Sequence, residues 1–267
     1  MGPVDNQATG PQGDHELSEH EGLAQRLDRV ERLLVRRDEL TGQPSKVARP
    51  AWRSVTEGES RWPASLAVAA AVGLQFTIPH RLMFRPHWLL PVVALLLLAA
   101  LLVANPMRIN RQSTSIRRLS LLMIAVLSVA NAWSAVELIR GLVEGREGHV
   151  AGPLLANGGA IWLTNVIIFS LWYWEFDRGG PAARANAVVE HQDFLFPQMT
   201  SPELAPADWE PAFTDYLYLS FTNATAFSPT DVMPLSRWAK MAMLVQSAVS
   251  LSIGALVIAR AVNILKQ

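Results

Sequence analysis

The sequence predicts an all-α, polytopic helical membrane protein: four spanning helices, then a pore-type half-helix hairpin, then a long final spanning helix. Three observations carry this expectation. Half of the 267 residues are apolar, mean hydropathy is positive at +0.19, and the charged residues gather at the ends and in the loops. Apolar runs of membrane length recur along the chain. Between the last two of these runs stands 216–234, a stretch too polar and too broken to cross a bilayer.

Composition also excludes some chemistry. Cysteine is absent, so disulfides, thiolate metal sites and cysteine nucleophiles are ruled out. Formal charge is zero. Lys46, Lys240 and Lys266 are the only lysines, which leaves 20 arginines among the 23 basic residues, and their placement carries more information than their sum. The opening 20 residues are polar and acidic rather than basic then apolar, so the first spanning helix is expected to direct insertion.

Residues 1–61 read as a tail on the cytoplasmic side. The first 17 have the composition of a chain that cannot bury enough surface to order itself. From about 18 to 40, Leu23, Leu27, Val30 and Leu34 give a helix with one narrow apolar seam, suited either to a short coiled coil or to lying on a membrane surface. The linker 41–61 holds Lys46, Arg49, Arg53 and Arg61, which suit a face of anionic lipid.

The four spans are expected within 62–174. Residues 62–78 and 88–104 each open on a tryptophan, and the turn between them holds two prolines and two arginines. Residues 105–118 carry Arg108, Arg111, Arg117 and Arg118 with no acidic residue, the signature of a cytoplasmic loop. Span 119–142 contains Asn131 and Glu137, the latter three residues before Arg140; span 154–174 contains Asn157, Thr164 and Asn165. Asn131 and Asn165 fit interhelical hydrogen bonds, and Glu137 a solvated pair with Arg140.

An acidic loop, 175–211, follows the Gly179, Gly180, Pro181 stop. From 186 to 215 the chain has Glu190, Asp193, Glu203, Asp208, Glu210 and Asp215 without a lysine or arginine. That composition suits either a negative vestibule that gathers cations or a solvated linker. His191 and Asp193 are too sparse for a metal site, and no cofactor is expected.

The last unit is 212–267. Pro211 opens a helix after Asp208 and Glu210, and the Ser228-Pro229 pair stops it. Phe213, Leu217, Phe221 and Ala224 share one face, leaving Thr222, Asn223 and Thr225 for another. Asp231 is expected at the tip or as cap of the next helix, with Pro234 starting that helix. The final helix, 235–264, has small residues Ser247, Ser250, Gly254 and Ala255, and one strong polar group, Gln246, placed to face a lumen.

These residues resemble the pore region of tetrameric potassium channels, which reads Ser-Phe-x-x-x-Thr-x-x-Gly-Tyr-Gly-Asp-x-x-Pro before an apolar inner helix. Ser220, Phe221, Thr225, Asp231 and Pro234 fall on it without a gap. Ser228, Pro229 and Thr230 stand where the family has Gly-Tyr-Gly. Proline fixes φ near −65° and pushes its predecessor toward extended geometry, so a glycine-type filter cannot form there. The resemblance implies an oligomeric cation channel, a tetramer, with weak or non-potassium selectivity for inorganic cations. Its path would run along Thr222, Asn223, Thr225, Phe227, Ser228, Pro229, Thr230 and Asp231, and along Gln246, Ser250 and Gly254 of the inner helix.

The same stretch is similar to an uncharacterised family of polytopic bacterial membrane proteins, which implies a multi-pass protein of the cell (inner) membrane. The alternative function is a non-conducting scaffold or sensor whose acidic loop or N-terminal helix binds a partner. No enzyme is expected, because the six histidines lack ligand spacing and no hydrolase or phosphate-loop motif is present. Nucleic-acid binding lacks a basic patch with aromatics. If 105–118 is cytoplasmic, the acidic loop is too, whereas a potassium-channel hairpin opens to the outside; either the last unit dips from the cytoplasmic face as a re-entrant hairpin, or one of the four assumed spans does not cross, or 212–228 crosses as a short fifth span.

Overall fold

A chain whose apolar runs are separated by proline, glycine and arginine turns folds as a stack of helices, and this one is mostly helical. The computed structural model describes residues 50–104, 108–109, 113–146, 150–225 and 231–266. The helix expected at about 18–40 and the tip residues Phe227, Ser228, Pro229 and Thr230 lie outside the described residues. In chain order the helices are α1 (Trp62–Thr77), α2 (Leu89–Ala104), α3 (Thr114–Val143), α4 (Ala151–Phe176), α5 (Pro181–Ala185), α6 (Pro197–Thr200), α7 (Phe213–Thr225) and α8 (Arg237–Leu265). Two short antiparallel ribbons join distant segments. β1 (Glu59–Ser60) pairs with β2 (Arg108–Ile109), and β3 (Phe194–Leu195) pairs with β4 (Met233–Pro234).

Three helices, α3, α4 with its 3-10 extension to Gly179, and α8, are long and apolar enough to cross a membrane. α1 and α2 are shorter apolar helices of 16 residues. Two of the long helices begin before the apolar runs that announced them. α3 starts at Thr114 because Arg117 and Arg118 are good helix formers that extend the turn beyond the apolar stretch. α4 starts at Ala151 with Pro153 in its first turn, where a missing N–H costs nothing.

α4 is the central element. It packs against α1, α3, α7 and α8, and 56% of its apolar window is buried, against 22% for α8. The α4–α8 approach depends on one glycine: a Cβ at Gly158 would stand 2.8 Å from both methyl carbons of Val257. Further along, Asn165 Nδ2 donates to Ser250 Oγ at 3.0 Å, the interhelical bond its position suggested. Glu137 and Arg140 form the surface pair at 3.2 Å. Asn131 is buried with its Oδ1 unbonded, so it does not bridge helices through that atom.

The stretch after α4 corrects an expectation. Instead of a solvated linker it is folded, with Phe194, Phe196 and Phe213 buried and ring contacts from Phe196 to Tyr216 at 5.4 Å and from Phe194 to Trp238 at 5.5 Å, while Glu190, Glu203 and Asp208 stay exposed. Aromatic residues inside an acidic run supply the apolar area that order requires. The start of α8 is corrected too. Ser236 is its cap, its Oγ accepting from Ala239 N at 3.4 Å, while Asp231 is exposed well before the helix and Pro234 lies in β4.

Candidate functional site

α7 has 13 residues, about 20 Å at 1.5 Å per residue, and α8 has 29, so α7 accompanies only part of its neighbour. The two run in the same direction. Asn223 Nδ2 donates to Met243 O at 3.0 Å, and Thr225 shares a crevice with Ser250 and Gly254. Both helices begin beside the end of α4: Tyr216 Oη donates to Asp177 Oδ2 at 2.6 Å, and Trp238 stands against Phe176 with ring centres 5.4 Å apart. After Thr225 the chain therefore returns to the level from which α7 set out, and β4 fastens it there to β3.

Where α7 stops, α4 and α8 continue and leave a crevice of about 450 Å³. Small residues make it: Gly158 and Gly159 on one side, Gly254 and Ala255 on the other, with Ala224 and Thr225 as its roof. A Cβ at Gly254 would meet nothing within 4 Å, so this glycine widens the crevice instead of permitting a contact. The C-terminal end of a helix dipole carries about half a negative charge, and α7 presents that end to this space, with Thr222 O and Asn223 O each accepting a side-chain bond.

The polar face of α7 is satisfied within the chain. Gln246, fully buried, accepts at Oε1 from Tyr173 Oη at 2.6 Å and from Asn223 Nδ2 at 2.8 Å. Its Nε2 donates to Ser220 O at 2.9 Å and Ser220 Oγ at 2.6 Å, and Ser220 Oγ donates on to Val166 O at 2.6 Å. All four hydrogen-bonding positions of the amide are thus used, which fixes its orientation. Ser247 Oγ adds bonds to Asn223 O and Oδ1, each at 3.1 Å. Gln246 and Ser250 accordingly face α4 and α7 and not a lumen. Thr222 and Thr225 bond back to their own helix, Thr225 Oγ1 donating to Thr222 O at 2.7 Å.

A second cluster lies where α4 ends and α7 and α8 begin. Asp177 and Arg178, just past α4, are buried and share an ion pair at 3.5 Å. Arg178 has φ of 51°, an uncommon value for a side-chain-bearing residue, and is held in it from two sides. Its N–H donates to Asp193 Oδ2 at 3.0 Å and its Nη1 to Trp52 O at 2.6 Å. Asp193 takes a further bond from Trp238 Nε1 at 2.7 Å. Arg184 in α5 donates to Trp174 O at 2.6 Å and Asp177 O at 3.0 Å, and stands 3.7 Å from Glu59. Glu59 in turn accepts from Trp174 Nε1 at 2.7 Å and from the N–H of Phe213 at the start of α7.

Burial pushes the Glu59 carboxyl above its ordinary range, opposed by Arg184 and those two donors. Burial alone would lower Arg184, yet its acidic surroundings, Asp177, Glu59 and Glu175 among them, hold it above its usual value. The guanidinium therefore stays charged and acts as a fixed counter-ion. Sequence reading found Asp193 only as one of several acids and passed over Arg184, Tyr173 and Tyr216. The available signals were Arg184 just ahead of a run free of lysine and arginine, and a tyrosine in the helix on either side of it.

These helices and this site define a class: an α-helical protein with membrane-length helices and a half-length helix wedged between two of them. No protein family, curated protein or solved structure matches the chain.

Proposed function

We propose that the chain is the subunit of an oligomeric, multi-pass membrane channel that passes inorganic cations with weak or non-potassium selectivity. One observation carries this reading: α7 enters beside the end of α4, stops above a crevice halfway along α8, and the chain returns to its starting level. In a bilayer whose hydrocarbon core is about 30 Å thick, a helix of this length dips without crossing, and its negative end points at the middle. α1 to α4 and α8 are then the crossings, with α1 and α2 accommodated by a locally thinned bilayer. The mouth lies on the face where α3 starts, beside Arg117 and Arg118, which favours the cytoplasmic side.

The permeation path is assigned to the hairpin tip, to the exposed Asp231 that follows it, and to α8, whose surface is largely unburied in the single chain. Four copies around one axis follow from the potassium-channel resemblance. Exposed Met241, Leu244, Leu251 and Ile258 give α8 the apolar surface that such an assembly or the lipid would cover. Asp231→Asn removes one charge per subunit from the path and is expected to lower cation flux in proteoliposomes by roughly tenfold at low ionic strength, a deficit that narrows as added salt screens the charge in the parent. Equal flux in both proteins counts against the assignment.

One feature favours the second reading, a non-conducting scaffold or sensor. The acidic stretch is engaged within the chain, with Asp193 bonded to Trp238 and Arg178, and Glu210 accepting from Thr56 Oγ1 at 2.9 Å. That reading expects no flux in the unaltered protein, so the same assay separates the two.

A further inference from the structure

A cavity of about 320 Å³ lies where α1 and α3 begin and α4 ends, walled on one side by the Gly179, Gly180, Pro181 turn. Its size is that of a small ligand site. Arg61 forms part of the wall, is only 6% exposed, and its Nε has no hydrogen-bond partner. A buried N–H left unbonded is costly, so the position is built for an acceptor that the chain itself does not supply.

The opposite wall is the first turn of α3, a helix of 30 residues with no acidic residue in that turn and no side-chain cap from Ser113. Its leading N–H groups have no acceptor within the helix and carry partial positive charge. Arg117, one turn in, reaches the same space: its Nη1 stands 4.0 Å from where a Cβ of Gly179 would be. Glu175 is the acidic member of the wall. Among the described residues it makes no direct ion pair with Arg61, so the guanidinium is not consumed. Arg61 and Arg117 are two guanidinium groups on the wall, and its one carboxyl, Glu175, also faces Arg184, so the cavity presents donors and positive charge to an anion.

We propose that this cavity binds a phosphate monoanion, either free or as the phosphodiester of a lipid headgroup. The neighbouring Trp62, more than half exposed at the start of α1, is the kind of residue that sits at headgroup depth. The site is independent of the channel reading, since it lies at the α3 start and uses no residue of the hairpin.

The test uses the full chain purified in an uncharged detergent, read by thermal unfolding midpoint and by native mass spectrometry. One arm adds sodium phosphate against sodium chloride of equal ionic strength; the other adds short-chain phosphatidylglycerol against an uncharged glycolipid. A rise in midpoint with either phosphate compound, with apparent affinity about tenfold weaker in Arg117→Gln, supports the site. A response to both compounds identifies the phosphate group as sufficient, and a response to phosphatidylglycerol alone assigns the lipid as the source. Arg117 is exposed, so Arg117→Gln keeps its fold whatever Arg61→Gln does. No response in either arm, or equal affinity in the unaltered protein and Arg117→Gln, overturns the proposal.

Discussion

Gln246→Leu is expected to destabilise the protein by about 2–4 kcal/mol, measured as a lower unfolding midpoint in detergent together with faster hydrogen exchange across α7. Leucine preserves the bulk of the side chain but none of its four bonds. Tyr173 Oη loses its acceptor, Ser220 O loses a donor, and Asn223 keeps Met243 O and a long contact of 3.5 Å to Tyr173 Oη as acceptors for its amide. Polar bonds between apolar helices average under about 1 kcal/mol each and reach about 2 at most. The sum is large here because one amide joins α4, α7 and α8, so its loss leaves several buried groups unmatched at once. A change confined to global stability, with α7 exchange unaltered, would mean that Gln246 is not what holds the half-helix in place.

Arg184→Met should cost more, about 3–5 kcal/mol at neutral pH, because it strips the counter-charge from buried acids rather than removing a balanced pair. Glu59, Asp177 and Glu175 all face this guanidinium. Glu59 gives the loss a pH signature. Its folded pKa is already raised above the ordinary 4.5 by burial, with Arg184 the main opposing influence, and removing Arg184 raises it further. A group raised on folding contributes stability that is full below its unfolded pKa and is lost as pH rises through the folded value. The variant should therefore regain stability as pH falls toward 4.5, while the parent changes less. Unfolding midpoints across that range test this; a deficit that does not vary with pH would assign the cost to lost packing alone.

Periodicity and hydropathy made the long helices legible, because a run that is apolar on every face has nowhere to fold except as a buried or lipid-facing helix. The half-helix was legible through Pro211 ahead of it and the helical spacing of Phe213, Leu217, Phe221 and Ala224. What stayed hidden was partnership. Gln246 looks like a lumen-facing group when α8 is read alone, and only the parallel course of α7 brings Ser220 and Asn223 against it. The acidic loop was misjudged for a related reason. Charge dominates its composition, yet its order comes from Phe194, Phe196 and Trp209, and from Asp193, whose partners lie 15 and 45 residues away. Arg184 gave little warning for the same cause, since Glu59 sits on the far side of four helices in sequence and beside it in space.

A density map of the protein extracted together with its native bilayer decides whether hairpins from several copies converge. The channel reading requires a symmetric assembly in which Asp231 of each copy flanks the axis and α8 lines the passage below it. A lone chain, or an assembly in which Asp231 and the end of α7 face lipid away from the axis, contradicts it.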